Sequence, residues 1–181
     1  MPRITMSQNM LPFDRIESAR FGLLSAMRLK MALLRWSQSK SFKGAEGVIF
    51  LTHYAKNEIS RDLGRLDGEI AIIPHGVDQR FFMQPRPAKY IEEFSFERPF
   101  CFLYVSSIDV YKHQRHVAYA VKLLRDRGFP VSIEFTGPAY GPALKAFERT
   151  MGDLDPERRF IRYRGAIPFQ ELHRAYQIAD A

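Results

Sequence analysis

A lysine stands at the end of a short polar loop that joins residues typical of a buried strand to residues typical of a helix. Cys101 to Val105 form an apolar run rich in aromatic and β-branched side chains, which predicts the strand. Ser106, Ser107 and Lys112 follow it, and apolar side chains at helical spacing predict a helix over about residues 112–126. The free N–H groups of a helix start attract anions, and a lysine adds a full positive charge. This loop, with Lys112 at its end, is therefore predicted to hold a diphosphate group.

The strand, loop and helix around Lys112 form the first of three similar units. The predicted strands lie at about 101–105, 131–136 and 159–163, and the predicted helices at about 112–126, 140–150 and 169–179. Strands and helices alternating at this interval indicate right-handed crossovers and a parallel sheet. The strands are followed by small residues, which are Ser106-Ser107, Thr136-Gly137-Pro138 and Gly165-Ala166. Ligands of such sheets bind beyond the carboxyl ends of the strands, so the three loops are predicted to converge on one cleft.

The N-terminal part of the chain predicts a second α/β unit. Buried strands are predicted at 47–51 and 70–73, with a helix between them that starts at Thr52 or His53 and ends near Gly64.

The second of these strands runs into a stretch that is typical of an interdomain hinge. In Pro74-His75-Gly76-Val77-Asp78, Gly76 would supply backbone angles that other residues avoid, and His75 fits either a structural role or a place in the cleft between domains. The stretch from Gln79 to Pro99 loses periodicity and contains three prolines, which predicts a linker. The predicted division is residues 1–78, a linker at 79–99, and residues 100–181.

A long segment near the N-terminus predicts an apolar and basic helix over about residues 14–40, with Asp14 as its N-cap. Ten large apolar side chains cover most of its circumference: Ile16, Phe21, Leu23, Leu24, Met27, Leu29, Met31, Leu33, Leu34 and Trp36. Two interpretations stay open. The helix packs in a core with its basic ends at the surface, or it associates peripherally with the cytoplasmic face of a membrane.

Composition narrows the class of protein. The 181 residues contain 46% hydrophobic side chains, as a globular protein does. The excess of 27 Lys and Arg over 20 Asp and Glu suggests an anionic partner, for which nucleotides, acidic lipid and nucleic acid all qualify. Cys101 is the one cysteine, which predicts a reducing, cytoplasmic compartment. The spacing of His, Cys and carboxylate residues predicts neither a metal site nor a cofactor site.

Several motifs together resemble glycosyltransferase family 4. They are, in order, Ile-Pro-His-Gly-Val-Asp, Leu-Tyr-Val-Ser-Ser, Tyr-Lys-His-Gln, Thr-Gly-Pro, Arg-Gly-Ala-Ile and Ile-Ala-Asp-Ala. The resemblance implies a GT-B-like fold, with parts of two Rossmann-like domains, both incomplete. It also implies a retaining enzyme that transfers a hexosyl group from a nucleotide diphosphate sugar. The donor would lie mainly in the second domain, and a glycan or lipid-linked acceptor mainly in the first.

The resemblance assigns roles to single residues. The family's Gly-Arg pair falls on Ser106 and Ser107, so a guanidinium is replaced by two hydroxyls, and its lysine falls on Lys112. A charge-assisted contact is worth about 1.5–3 kcal/mol and a neutral one about 1 kcal/mol, so Lys112 should dominate phosphate binding. Gly137 resembles the glycine that lets the next loop approach the donor. Ala166 and Ile167 resemble the segment that meets the nucleobase, although Ile167 also fits a core role.

Two features of the family are missing from the chain. The resemblance places a pair of glutamates shortly after Ala181 and further strands before Met1, so the chain is expected to be an internal fragment, inactive by itself. In the usual strand order of such sheets, the predicted strand 101–105 would then be a bare apolar edge. The predicted strand 159–163, with its arginines, suits an edge that faces water.

Two other functions are weighed against this one. The run from Arg158 to Arg164 interleaves basic and aromatic residues, as modules that bind single-stranded nucleic acid do. Charges that keep an edge strand soluble explain the same run, and no nucleic acid partner is expected. The other alternative is a nucleotide-binding domain without enzymatic activity.

Overall fold

The computed structural model describes residues 2–22 and 25–181. The chain divides into two compact units, Met1–Val77 and Asp78–Ala181. Each unit has its own sheet and its own hydrophobic core.

The first unit is built on a parallel sheet with the strand order β1-β2-β3. Its elements are β1 (Ile4–Ser7), α1 (Arg15–Ala19), α2 (Ala26–Lys43), β2 (Gly47–Phe50), α3 (His53–Leu63) and β3 (Glu69–Ile72). The core contains Phe50, which is fully buried, and the nearly buried Phe42, whose rings lie 6.2 Å apart. Thr52 caps α3 by accepting a hydrogen bond from the Ala55 N–H at 3.0 Å. The two strands and the helix predicted here are confirmed, but the predicted burial of the second strand is wrong, because three of the four residues of β3 are exposed.

Strand β1 was not predicted from the sequence. Its four residues contain two apolar side chains, which is too short a pattern to predict a strand, and both are exposed, Ile4 by 70% and Met6 by 42%. Backbone pairing with β2, in the register Ile4 with Gly47, therefore defines this strand.

The prediction of one helix over residues 14–40 is wrong. Asp14 is an N-cap, but the helix that it caps, α1, ends at Ala19. Ser25 then caps α2 by accepting a hydrogen bond from the Arg28 N–H at 3.2 Å. A second capping residue inside the segment thus starts a new helix. Two residues of the predicted apolar face, Leu23 and Leu24, lie outside the described residues.

The second unit is also built on a parallel sheet, with the strand order β4-β5-β6. Its elements are β4 (Phe100–Val105), α4 (Gln114–Asp126), β5 (Val131–Thr136), α5 (Gly141–Leu154), β6 (Ile161–Gly165) and α6 (Phe169–Ile178). The core is centred on Phe135, which is fully buried, and on Phe147, whose ring meets that of Phe135 edge-on at 4.8 Å. The three predicted strand–helix units and the parallel sheet are confirmed.

The segment predicted as a linker, residues 79–99, lies in the second unit. It contains two short 3-10 helices, Gln79–Phe81 and Ile91–Glu93. The Phe81 ring packs against α6, 5.7 Å from Phe169 and 5.7 Å from Tyr176.

Strand β4 is an edge of its sheet, but it is not the bare edge that was predicted. The Leu103 N–H donates to the carbonyl of Ala181 at 2.6 Å, and the Asp180 N–H donates to the carbonyl of Cys101 at 2.8 Å. The Asp180 carboxylate also accepts from the Cys101 N–H at 2.9 Å. These residues give backbone groups of β4 hydrogen-bond partners outside the sheet.

Candidate functional site

The loops that follow β4, β5 and β6 meet at the carboxyl edge of the sheet. The Ser106 N–H donates to the carbonyl of Thr136 at 2.9 Å, which joins the first loop to the end of β5. The Gly137 N–H donates to the carbonyl of Gly165 at 2.9 Å, which joins the second loop to the end of β6. The three loops therefore meet as predicted, and the cleft that they were predicted to form stays a prediction.

Gly137 is the point of closest approach between the first two loops. Its φ is +141°, an angle that residues with a side chain rarely adopt. A Cβ placed on it would lie 2.2 Å from the carbonyl oxygen of Ser106 and 3.1 Å from the nitrogen of Ser107. Real Cβ atoms essentially never approach another atom as closely as the first distance, and the second is tighter than most real contacts, so only glycine fits next to the first loop.

Hydrogen bonds from buried residues hold the backbone of the first loop in place. Ile108 is 1% exposed, and its N–H donates to the carbonyl of Pro138 at 2.8 Å. Gln114, 2% exposed, donates from its side-chain amide to the carbonyl of Ser107 at 2.7 Å. The half-buried Ser106 and Ser107 therefore have a fixed backbone at the edge of the sheet.

Lys112 lies at the far end of the same loop. The Tyr104 hydroxyl of β4 donates to the carbonyl of Lys112 at 2.7 Å and so fixes its backbone. The half-buried lysine places its amine 5.1 Å from the centroid of the Tyr111 ring. The predicted helix start is wrong, because α4 begins at Gln114 and Lys112 precedes it by two residues. Burial, the main cause, raises the pKa of the Tyr111 hydroxyl, and Asp109 raises it further.

The residue between Lys112 and the helix has a strained backbone. His113 has a φ of 59° and a ψ of 19°, in the left-handed region, which costs about 1–2 kcal/mol for a residue with a side chain. Its carbonyl accepts from the N–H of His116 at 2.9 Å and from that of Val117 at 3.2 Å, so His113 is the N-cap that directly precedes α4. Sequence reasoning missed this position because most histidines adopt ordinary backbone angles, although histidine is among the residues enriched in the left-handed region.

The third loop contains the residues predicted to meet a nucleobase. Ala166 is exposed and Ile167 is half-buried. They follow Gly165, which has a φ of +82° and accepts a hydrogen bond from the Thr136 hydroxyl at 2.7 Å. This loop therefore leaves the sheet next to Gly137.

A tyrosine that sequence reasoning did not single out supports the joined loops. The Tyr163 hydroxyl of β6 donates to the carbonyl of Gly137 at 2.9 Å. Burial raises its pKa, and the nearby Glu148 raises it further, so the hydroxyl stays protonated and able to donate. An alternation of basic and aromatic residues in the sequence marks the strand, but it does not show which backbone group the tyrosine reaches.

The two predicted hinge residues lie in the first unit, beyond the end of β3 at Ile72. His75 and Gly76 are both exposed. The unusual backbone expected of Gly76 is not found, since its φ is not positive and a Cβ there would meet nothing within 4 Å. Flexibility, rather than a required left-handed conformation, is what a glycine adds at this position.

Among the described residues, no group of three or more His, Cys, Asp or Glu side chains is arranged to hold a metal ion.

Comparisons with known proteins identify the fold. No protein-family model and no curated protein sequence matches the chain. The solved structure of HepE from Anabaena, in complex with UDP and glucose, matches 99% of this chain with a TM-score of 0.68 and 16% identity. TarM from S. aureus, a variant in complex with fondaparinux, alpha-GlcNAc-glycerol and UDP, matches 82% of this chain with a TM-score of 0.56 and 14% identity.

This chain spans 45% of the HepE chain and 27% of the TarM chain. At these identities the similarity establishes the fold alone. The chain thus has an α/β, GT-B-like fold, with two Rossmann-like units and parallel sheets, as the sequence predicted.

Proposed function

We propose that this chain is part of a retaining glycosyltransferase of family 4 that transfers a hexosyl group from a nucleotide diphosphate sugar to a glycan or lipid-linked acceptor. Two proteins with the same fold were crystallised with UDP, one of them together with glucose. The predicted site residues of the second unit lie on loops at the carboxyl edge of its sheet, where open α/β sheets bind ligands.

The observation that carries this proposal is the joining of the three loops around Gly137. The backbones of Ser106 and Gly137 approach so closely that no side chain fits between them. Gly137 is in turn hydrogen-bonded to Gly165, next to Ala166. A fixed edge formed from three strand ends preorganises a binding site for an extended ligand such as a nucleotide diphosphate sugar.

In this proposal the first loop binds the diphosphate. Lys112 supplies the full positive charge, and the hydroxyls of Ser106 and Ser107 donate hydrogen bonds to phosphate oxygens. The N–H groups at the start of α4, two residues beyond Lys112, add partial positive charge. During transfer, these groups would stabilise the negative charge that grows on the departing diphosphate, which is the role of a metal ion in other enzymes. The transfer is therefore proposed to need no metal and no cofactor.

The remaining site residues are assigned to the other parts of the substrates. Ala166 and Ile167, on the third loop, are proposed to contact the nucleobase. His75 and Gly76, beyond β3 in the first unit, are proposed to line the acceptor side. Since nucleotide sugars carry negative charge, the net charge of +7 favours their binding. We propose a cytoplasmic location, where a free cysteine stays reduced.

No nucleic acid is included among the proposed partners. In the basic run of β6 and the residues before it, Arg159 forms an ion pair with Glu157, and Arg164 lies 3.7 Å from the carboxylate of Glu134. These pairs partly neutralise the run, which favours its interpretation as a charged edge.

The experiment is a calorimetric titration with UDP of the wild-type protein and of Lys112→Ala. Loss of a charge-assisted contact worth about 1.5–3 kcal/mol should weaken binding by roughly 10- to 150-fold. The control is Lys145→Ala, which removes an exposed lysine from α5 in the same unit and should leave affinity unchanged. Equal affinities for the Lys112 and Lys145 variants would contradict the diphosphate assignment.

Transfer is tested separately, in the full-length protein, with labelled UDP-hexoses and oligosaccharide acceptors. The expected result is a product whose anomeric configuration, read by NMR, equals that of the donor. Tight UDP binding with neither transfer nor donor hydrolysis would instead favour the nucleotide-binding domain without enzymatic activity.

A further inference from the structure

One side of α2 exposes a line of large apolar side chains. Leu29, Leu33 and Trp36 are 65%, 59% and 61% exposed. Their spacing of four and three residues places them in one row along the helix. The opposite side of α2 packs in the first unit through Met31 and Phe42, which are 7% and 2% exposed. We call the row formed by Leu29, Leu33 and Trp36 the apolar row.

The apolar row lies among basic side chains. All five charged residues of α2 are basic, namely Arg28, Lys30, Arg35, Lys40 and Lys43. Three of them, Lys30, Lys40 and Lys43, are exposed and form no ion pair with any described residue. The amine of Lys40 lies 4.1 Å from the centroid of the Trp36 ring, at the C-terminal end of the row.

The uncharged side chains next to the apolar row are small. Ala26, Ala32 and Ser37 are exposed on the same half of the helix. Because none of them projects far from the helix, a flat surface can approach the whole row. The helix has 18 residues, so this face is about 27 Å long.

We infer that this face of α2 binds the surface of a lipid bilayer that contains anionic headgroups. The apolar row would enter the boundary between headgroups and acyl chains, while the lysines contact lipid phosphates. Trp36 has a largely apolar ring and lies next to Lys40, a combination that is typical of side chains at that boundary. Among the described residues no helix is long and apolar enough to cross a bilayer, so α2 would lie on the membrane.

Charge argues against a second copy of the chain as the occupant of this face. In a symmetric dimer, each protomer contributes the same surface patch to the interface. The lysines of one copy, Lys30, Lys40 and Lys43, would then face the same lysines of the other copy. Like charges facing each other across an interface cost several kcal/mol. An anionic surface complements the same lysines. This inference is independent of the proposed donor site, which lies in the other unit.

The test uses the fluorescence of Trp36, which is the one tryptophan of the chain. The purified protein is mixed with vesicles of equal parts phosphatidylcholine and phosphatidylglycerol. We expect a blue shift of the emission and protection from acrylamide quenching, because the indole leaves water. Vesicles of phosphatidylcholine alone should give a much smaller shift. No blue shift with the anionic vesicles would overturn the inference.

A matched pair of variants separates this face from general hydrophobicity. Leu33→Glu and Leu123→Glu each replace an exposed helical leucine, 59% and 57% exposed respectively. Leu33→Glu should reduce vesicle binding by at least about tenfold, since a leucine no longer enters the bilayer and a carboxylate meets anionic lipid. Leu123→Glu should bind as the wild-type protein does. Equal losses in the two variants would contradict the assignment of this face.

The charge is tested by Lys40→Gln with Lys43→Gln, followed by sedimentation with the anionic vesicles. Each lysine removed should weaken binding by about fivefold, and added salt should reduce the difference from the wild-type protein. Binding that is unchanged in this variant would overturn the role of the anionic headgroups. A blue shift that depends on protein concentration without vesicles, with dimers in gel filtration, would show a second copy on this face and also overturn the inference.

Discussion

The backbones of Gly137 and Ser106 can approach closely at the candidate site because Gly137 has no side chain. In Gly137→Ala the new Cβ would lie 2.2 Å from a backbone oxygen of Ser106 and would hold an unfavourable φ of +141°. Because the backbone oxygen of Ser106 cannot rotate away from the new Cβ as a flexible side chain could, the free energy of unfolding should fall by more than about 3 kcal/mol. The measurement is urea denaturation followed by circular dichroism. Gly152→Ala is the control, because a Cβ there meets nothing within 4 Å, and it should stabilise α5 slightly.

The importance of Gly137 could be predicted from the sequence only in part. A small residue after a buried strand indicates a close approach, but the partner of that approach is Ser106, 31 positions earlier in the chain. Only the register of β4 on β5, with Val105 opposite Thr136, brings the two together. The same holds for Gln114, whose burial under the first loop follows from tertiary packing and not from its residue type.

At the scale of an element, one carboxylate determines where β6 begins. Asp155, 3% exposed, accepts hydrogen bonds from the backbone N–H groups of Arg159, Phe160 and Ile161 at 3.0, 2.7 and 2.8 Å. In Asp155→Ala these three donors lose their acceptor, which should lower the free energy of unfolding by at least about 3 kcal/mol.

The measurement is again urea denaturation. Asp153→Ala is the matched control, because this exposed aspartate lies two residues earlier and has no such partners among the described residues; it should change stability by less than about 0.5 kcal/mol. Similar losses in the two aspartate variants would show that the Asp155 hydrogen bonds do not stabilise the turn.

The contacts of Asp155 also explain why the prediction of β6 was displaced. Apolar and aromatic residues predicted a strand from about residue 159, but the strand begins at Ile161. Periodicity locates the centres of the strands and helices well, because burial imposes it. It locates their ends poorly, because ends depend on side-chain caps such as Asp155 and Ser25.

At the scale of the whole molecule, the two units have separate cores, and the proposed donor site belongs to the second. A ligand at a concentration 100 times its dissociation constant stabilises the folded unit that binds it by about 2.7 kcal/mol. Only amides whose exchange requires an unfolding that releases the ligand are protected by it. We therefore expect UDP to slow hydrogen exchange at the backbone amides of β5, and at those of the first loop around Ile108. Amides of β2 in the first unit should exchange at the same rate with and without UDP.

This last measurement distinguishes a donor site from general anion binding. The net charge of +7 would attract UDP weakly to many basic surfaces, including the lysines of α2. Such binding falls steeply with salt and would slow exchange in both units or in neither. A site formed by fixed loops should keep its protection confined to the second unit as salt is raised. Protection that is strongest around α2 would place the nucleotide in the first unit, contrary to the proposal.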